Sequence, residues 1–121
     1  MTDPHALLVY RHDSKNRALI TLTGEIDLHS APLVRHSLAQ CLREGIRTIV
    51  VDLTSVTFCD CSGLNAFLTA SLRTTTAGGS FRLRCPSPAV ARLFALTGSE
   101  FLFLSHPDIP AGLLDRLPNA V

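Results

Sequence analysis

The residues best suited to chemistry form a short run, Asp60-Cys61-Ser62-Gly63, between a strand pattern and a helix pattern. Backbone N–H groups at a helix start lack partners within the helix and carry partial positive charge. A side chain there can accept a phosphate, or ionise as a thiolate, at reduced cost. The run therefore predicts a switch site. Two hypotheses explain Gly63 equally well. The missing side chain lets the backbone of another protein approach the turn, or the backbone geometry of the turn itself requires glycine.

Other motifs of catalysis or metal binding are missing from the sequence. It contains no GxxxxGK phosphate loop, no GxSxG elbow and no GxGxxG turn. The histidines lack the spacing of metal ligands, and His29 and His36 are interpreted as solvated surface residues. Cys59 and Cys61 would need two further zinc ligands from distant parts of the chain, so we interpret them as small loop residues. We expect no enzymatic activity, no metal and no cofactor.

Composition indicates one domain over residues 1–121, since 46% of the residues are hydrophobic and 17% are charged. Eleven Lys and Arg against ten Asp and Glu give a net charge of +1, without a basic run, which disfavours direct nucleic-acid binding. Met1–His5 lacks the pattern of a secretion signal, and no apolar run approaches the roughly 20 residues of a membrane span. We expect a cytoplasmic protein whose four cysteines are free thiols.

Strand and helix patterns alternate along most of the chain. Ala6–Tyr10 and Ala18–Thr23 flank the polar stretch Arg11–Arg17, which predicts an N-terminal hairpin. Ile46–Leu53 has the near-continuous apolarity of a central strand buried on both faces, and a loop is predicted over Thr54–Asp60. Two further short strands are predicted at Phe81–Cys85 and Phe101–Leu104.

Helices are predicted from amphipathic spacing and from their start and stop residues. Ser30 is the predicted N-cap of a first helix that ends at Gly45. The other predicted helices are Ser62–Thr76, Ser87–Leu96 and Pro107–Leu117. This alternation predicts an α/β fold with a mixed, mainly parallel sheet, alternating helices and an N-terminal hairpin strand.

The stretch Asp60-Cys61-Ser62-Gly63-Leu64 and the upstream Gly24-Glu25-Ile26-Asp27 resemble the STAS domain of bacterial anti-sigma factor antagonists. Ser87–Phe94 and Thr97-Gly98 are similar to the family's third long helix, so the resemblance covers nearly the whole chain. It implies a single STAS domain that binds an anti-sigma factor, itself a serine kinase, and thereby releases a sigma factor. The kinase turns the antagonist off by phosphorylation, and a phosphatase resets it.

The resemblance implies that Cys61 occupies the phosphoacceptor position, where the family has serine or threonine, and that Ser62 is the second hydroxyl. In one hypothesis Ser62 accepts the phosphate, although a shift of one helical residue rotates the side chain by about 100°. In a second, which we prefer slightly, the protein has no phosphorylated off-state. In a third, Cys61 is a redox switch with a pKa lowered by the helix start and raised by Asp60. A fourth hypothesis, in which Cys61 is an inert substitute for serine, agrees with the sequence at least as well as the redox hypothesis.

Neighbouring residues have two interpretations each. Asp27 corresponds to an acidic residue that the family has near the switch, or it caps a local turn. Asp60 orients the Ser62 hydroxyl or the partner's Mg²⁺, or it is simply an acid at a helix N-terminus. Leu64 and Asn65 are the predicted partner contacts. Three apolar residues of the same helix are predicted to lie in the core: Phe67, Leu68 and Leu72.

Two other functional classes fit the same pattern. One is a STAS scaffolding subunit of a lipid-transport or stress-signalling assembly. Such a subunit needs no phosphorylation, so the absence of serine at position 61 fits it equally well. The other is a small nucleotide-binding domain, which only the helix start supports. We expect a monomer or a weak homodimer in every case.

Overall fold

Four strands form one sheet in the order β1-β2-β3-β4 in the computed structural model, which describes residues 6–104. The strands are β1 (Leu8–Ser14), β2 (Arg17–Ile26), β3 (Thr48–Cys59) and β4 (Ser80–Arg84). β1 pairs antiparallel with β2, whereas β3 pairs parallel with both β2 and β4. The predicted mixed, mainly parallel sheet with an N-terminal hairpin is therefore confirmed, with β3 inside the sheet.

The hairpin connection is shorter than predicted. Only Lys15 and Asn16 form the turn, while the polar residues before them continue β1 to Ser14. Arg11 lies within the strand and forms ion pairs with Asp13 and Glu44, each at 2.8 Å. Polar residues can extend this strand because it lies at the edge of the sheet and exposes most of its side chains.

Strand β3 runs through the segment that was predicted as a loop. Register shifts in its pairing with β2 interrupt strict alternation, so Leu53, Val56 and Cys59 are buried at intervals of three residues. The alternating pattern typical of a strand is therefore absent from the sequence there. Because β3 is long, its last residue Cys59 pairs with Ile26, the last residue of β2.

Three helices follow the strands as predicted: α1 (Ala31–Arg43), α2 (Cys61–Thr76) and α3 (Pro88–Leu96). One face of α2 enters the core at Phe67, which is fully buried. Leu72 does not: it is 69% exposed, so its predicted core position is wrong. Five residues from Phe67, it is rotated by about 140° around the helix axis. Leu68 is partly buried at the margin of the core.

The segment predicted as a last strand, Phe101–Leu104, forms instead a short 3₁₀ helix, η1 (Glu100–Phe103). Leu102 is fully buried, and the Phe103 ring packs edge-on against Phe94 with centroids 5.1 Å apart. The apolar residues of η1 thus pack onto β4, α2 and α3 without pairing as a further strand. The predicted helix Pro107–Leu117 lies outside the described residues.

Candidate functional site

The turn between β3 and α2 is organised by Asp60. Its carboxylate Oδ1 accepts hydrogen bonds from the backbone N–H of Ser62 at 2.8 Å and of Gly63 at 3.4 Å. Asp60 has extended backbone angles and is therefore the N-cap of α2. The carboxylate occupies two of the N–H groups that the sequence suggested were open to a phosphate.

Cys61 and Ser62 are the first two residues of α2 and differ in exposure. The Cys61 side chain is exposed, whereas Ser62 is only half-exposed. Consecutive helical residues point about 100° apart, so the two side chains face different directions. Cys61, the predicted phosphoacceptor position, is therefore the more accessible of the two, and it carries a thiol.

Gly63 and Leu64 face inward. A Cβ on Gly63 would lie 2.6 Å from both the Cys59 Sγ and the Ile26 Cγ2, so the helix needs glycine to sit on the strand ends. Close packing, rather than a partner's approach, accounts for this glycine. Leu64 is 5% exposed and belongs to the core, so its predicted role as a partner contact is corrected. Asn65 is exposed, in a position compatible with such a contact.

Asp27 lies beside this turn because the last residues of β2 and β3 pair with each other. The Asp60 backbone N–H donates to the Ile26 carbonyl at 3.1 Å, directly before Asp27. The Asp27 carboxylate accepts from the backbone N–H of Ser30 at 3.0 Å and of His29 at 2.9 Å. These hydrogen bonds, foremost the one from Ser30, hold the pKa of Asp27 below its ordinary value. A charged carboxylate therefore lies next to the turn Asp60–Gly63, which we call the switch turn after its predicted role.

At the start of α1, the predicted side-chain cap is not formed. The helix begins directly after Ser30, as predicted, but the Ser30 hydroxyl does not cap it. That hydroxyl instead donates to the Glu25 carbonyl at 2.9 Å and accepts from the Asp27 N–H at 2.9 Å. The Asp27 carboxylate instead accepts from the backbone N–H groups of His29 and Ser30. These are the contacts expected of a residue that caps a local turn.

Two large apolar side chains near the turn were not among the predicted site residues. Leu28, directly after Asp27, is 72% exposed, and Phe58, two residues before Asp60, is 47% exposed. Exposed apolar groups next to polar ones are typical of protein-binding surfaces. The exposure of Leu28 depends on tertiary packing, and Phe58 lies in the segment that was predicted as a loop, so neither residue was predicted as part of the site.

The four cysteines are free thiols in different environments. Cys59 and Cys41 are buried; burial raises the pKa of both thiols, that of Cys59 to about 12. Cys85 is exposed but follows β4, whose last pair is with Asp52. Cys59 lies seven positions beyond Asp52 along β3, about 23 Å in an extended strand, so Cys85 is too far from Cys61 for a disulfide.

The predicted surface histidines are both exposed. Between residues 6 and 104, no group of three or more His, Cys, Asp or Glu side chains is arranged to hold a metal ion. None of the helices described in this part of the chain has the length and apolar character of a membrane span.

Comparison with known proteins identifies the fold family. A model of the STAS domain matches residues 9–111. The chain belongs to the STAS domain family. This STAS protein is 32% identical over 85 residues to the anti-sigma-B factor antagonist of Bacillus subtilis, covering 70% of this chain and 77% of that protein. It is 27% identical over 86 residues to the anti-sigma F factor antagonist of Lysinibacillus sphaericus, covering 70% and 74%.

Solved structures show the same fold. An anti-sigma factor antagonist from Mycobacterium paratuberculosis superimposes with a TM-score of 0.73 at 22% identity, covering 95% of this chain and 97% of that one. The unphosphorylated anti-sigma factor antagonist SpoIIAA gives a TM-score of 0.72 at 22% identity, covering 92% and 95%. The predicted family and fold class are therefore confirmed.

Proposed function

We propose that this STAS protein is an anti-sigma factor antagonist that binds an anti-sigma factor and so releases a sigma factor. The observation that carries the proposal is the exposed Cys61 at the first position of α2, the position predicted to correspond to the family's switch residue. The similarity to antagonists from two bacteria supports the general role. The domain acts by binding, not by catalysis.

The docking surface in this proposal is the switch turn with its immediate surroundings. Cys61 and Asn65 are exposed on the first turns of α2, and Leu28 and Phe58 are exposed apolar residues close in sequence to Asp27 and Asp60. The charged Asp27 gives this surface a polar margin. Exposed apolar side chains among polar ones fit a protein partner better than a small metabolite.

We propose further that the partner is a serine kinase which cannot switch this antagonist off at position 61. A kinase site that positions a hydroxyl oxygen for phosphoryl transfer is poorly matched to the larger sulfur of Cys61. Ser62 is a poor substitute, because its side chain points in another direction and its backbone N–H is bonded to the Asp60 carboxylate. A phosphate on Ser62 would lie beside that negative charge. The protein therefore stays competent to bind, and a phosphatase has nothing to reset.

Incubation with the cognate anti-sigma factor and ATP, followed by mass spectrometry, tests this function. We expect a stable complex with the wild-type protein and no phosphate on it. Cys61→Ser should be phosphorylated at position 61, and Cys61→Ser with Ser62→Ala should be phosphorylated equally well. Phosphate on Ser62 of the wild type contradicts the loss of the off-state. Purification from cells with transporter subunits, and without an anti-sigma factor, favours the scaffolding role instead.

A further inference from the structure

A groove between α1 and α2 lies on the helical side of the domain, with a volume of about 270 Å³. Its floor includes Leu38, Ala66 and Ala70, which are 1%, 1% and 6% exposed. The small alanine side chains leave the space, and the apolar groups that line it are recessed between the helices. This α1–α2 groove therefore has room for side chains that project from another molecule.

The charge around the groove has one sign. Arg35, His36 and Arg73 are exposed and line it, and no carboxylate is among its lining residues within the described part of the chain. The sequences of Ala31–Arg43 and Cys61–Thr76 contain no Asp or Glu at all. The net charge of the whole chain is only +1, so the positive charge of this helix pair is a local feature.

We propose that the α1–α2 groove binds an acidic amphipathic helix of a partner protein, at a surface separate from the switch turn. Apolar side chains of such a helix, spaced at i, i+3, i+4 and i+7, would enter the recessed floor. Its flanking carboxylates would pair with Arg35 and Arg73 on the rim. An anionic membrane fits less well, because insertion into a bilayer requires apolar side chains that protrude beyond the cations, whereas the floor residues Leu38, Ala66 and Ala70 are buried.

An NMR titration of the intact protein tests the proposal. The probe is a synthetic helical peptide with leucine at the i, i+3, i+4 and i+7 positions and glutamate on both flanks. We expect saturable shifts at the backbone amides of Ala39, Ala66 and Ala70. Arg35→Gln and Arg73→Gln should each weaken binding about five-fold, the equivalent of about 1 kcal/mol for an exposed ion pair. The matched control Arg92→Gln, on α3, should bind like the wild type.

Several results would overturn the proposal. One is an absence of shifts at the groove amides at millimolar peptide. Another is equal affinity for the same peptide with lysine in place of glutamate. Binding to phosphatidylglycerol vesicles without binding to the peptide would assign the groove to a membrane instead. Cys61→Glu should leave the peptide affinity unchanged, and a large loss in that variant would contradict a surface separate from the switch turn.

Discussion

Replacing Gly63 with alanine tests how closely α2 must sit on the strand ends to present the switch turn. The added Cβ would lie 2.6 Å from the Cys59 Sγ and 2.6 Å from the Ile26 Cγ2. Comfortable contacts between such atoms are about 3.5–4.0 Å. Overpacking of a core costs about 1–3 kcal/mol, while alanine instead of glycine within a helix gains about 0.5–1 kcal/mol. Because two contacts are this close, we place the overpacking cost in the upper part of that range, about 2–3 kcal/mol, and expect a net loss of about 1–2.5 kcal/mol in the free energy of unfolding.

Urea unfolding followed by circular dichroism measures this loss. Asn65→Ala is the matched control, because it changes an exposed residue of the same helix and should leave stability unchanged or slightly higher. The cost of Gly63→Ala should be smaller in a Cys59→Ala background, where one of the two close contacts is removed. A Gly63→Ala protein as stable as the wild type would refute the explanation of this glycine by close packing.

Three further predictions concern the charges and thiols of the site. Asp60→Ala should lower the free energy of unfolding by about 1 kcal/mol, because α2 loses its N-cap, and urea unfolding measures this. The pKa of Asp27 is lowered by folding, so its contribution to stability is present above the unfolded value of about 3.9 and is lost as the pH falls through the folded value. The stability difference between wild type and Asp27→Asn should therefore shrink on acidification. Iodoacetamide at pH 8 should modify Cys61 well before Cys59, whose buried thiol has a pKa of about 12; peptide mapping measures both rates.

Each of these three predictions has an outcome that would contradict it. An unchanged unfolding midpoint in Asp60→Ala means that the cap contributes nothing to stability. A stability difference for Asp27→Asn that stays constant from pH 7 to pH 3 means that folding does not alter the Asp27 titration. Equal alkylation rates for Cys59 and Cys61 in the folded protein contradict the burial of Cys59.

The sequence predicted the order of elements well because each helix has clear boundaries. Ser30, Ser87 and the glycines after each helix mark starts and stops that the structure keeps within a residue or two. The end of β3 was missed because its pairing shifts register, which places Val56 and Cys59 in the core three residues apart. Phe101–Leu104 was mistaken for a strand because a short apolar run has no distinct period.

At the site, the sequence located the turn but not the direction of every side chain. Asp60, Cys61 and Ser62 could be placed at a helix start from local patterns alone. Whether Leu64 faces the core or a partner depends on how α2 sits on the sheet, which is a tertiary property. The apolar exposure of Leu28 likewise follows from packing that no local pattern encodes.

The affinity of the cognate anti-sigma factor for Cys61→Glu tests most directly whether the switch turn is the recognised surface. Isothermal titration should show binding to the wild type and a loss of about 30-fold or more in this variant, since an unpaired charge buried in an interface costs about 2 kcal/mol or more. The control Cys85→Glu adds the same charge at an exposed site remote from the turn and should bind like the wild type. Equal affinities for wild type and Cys61→Glu would contradict the account.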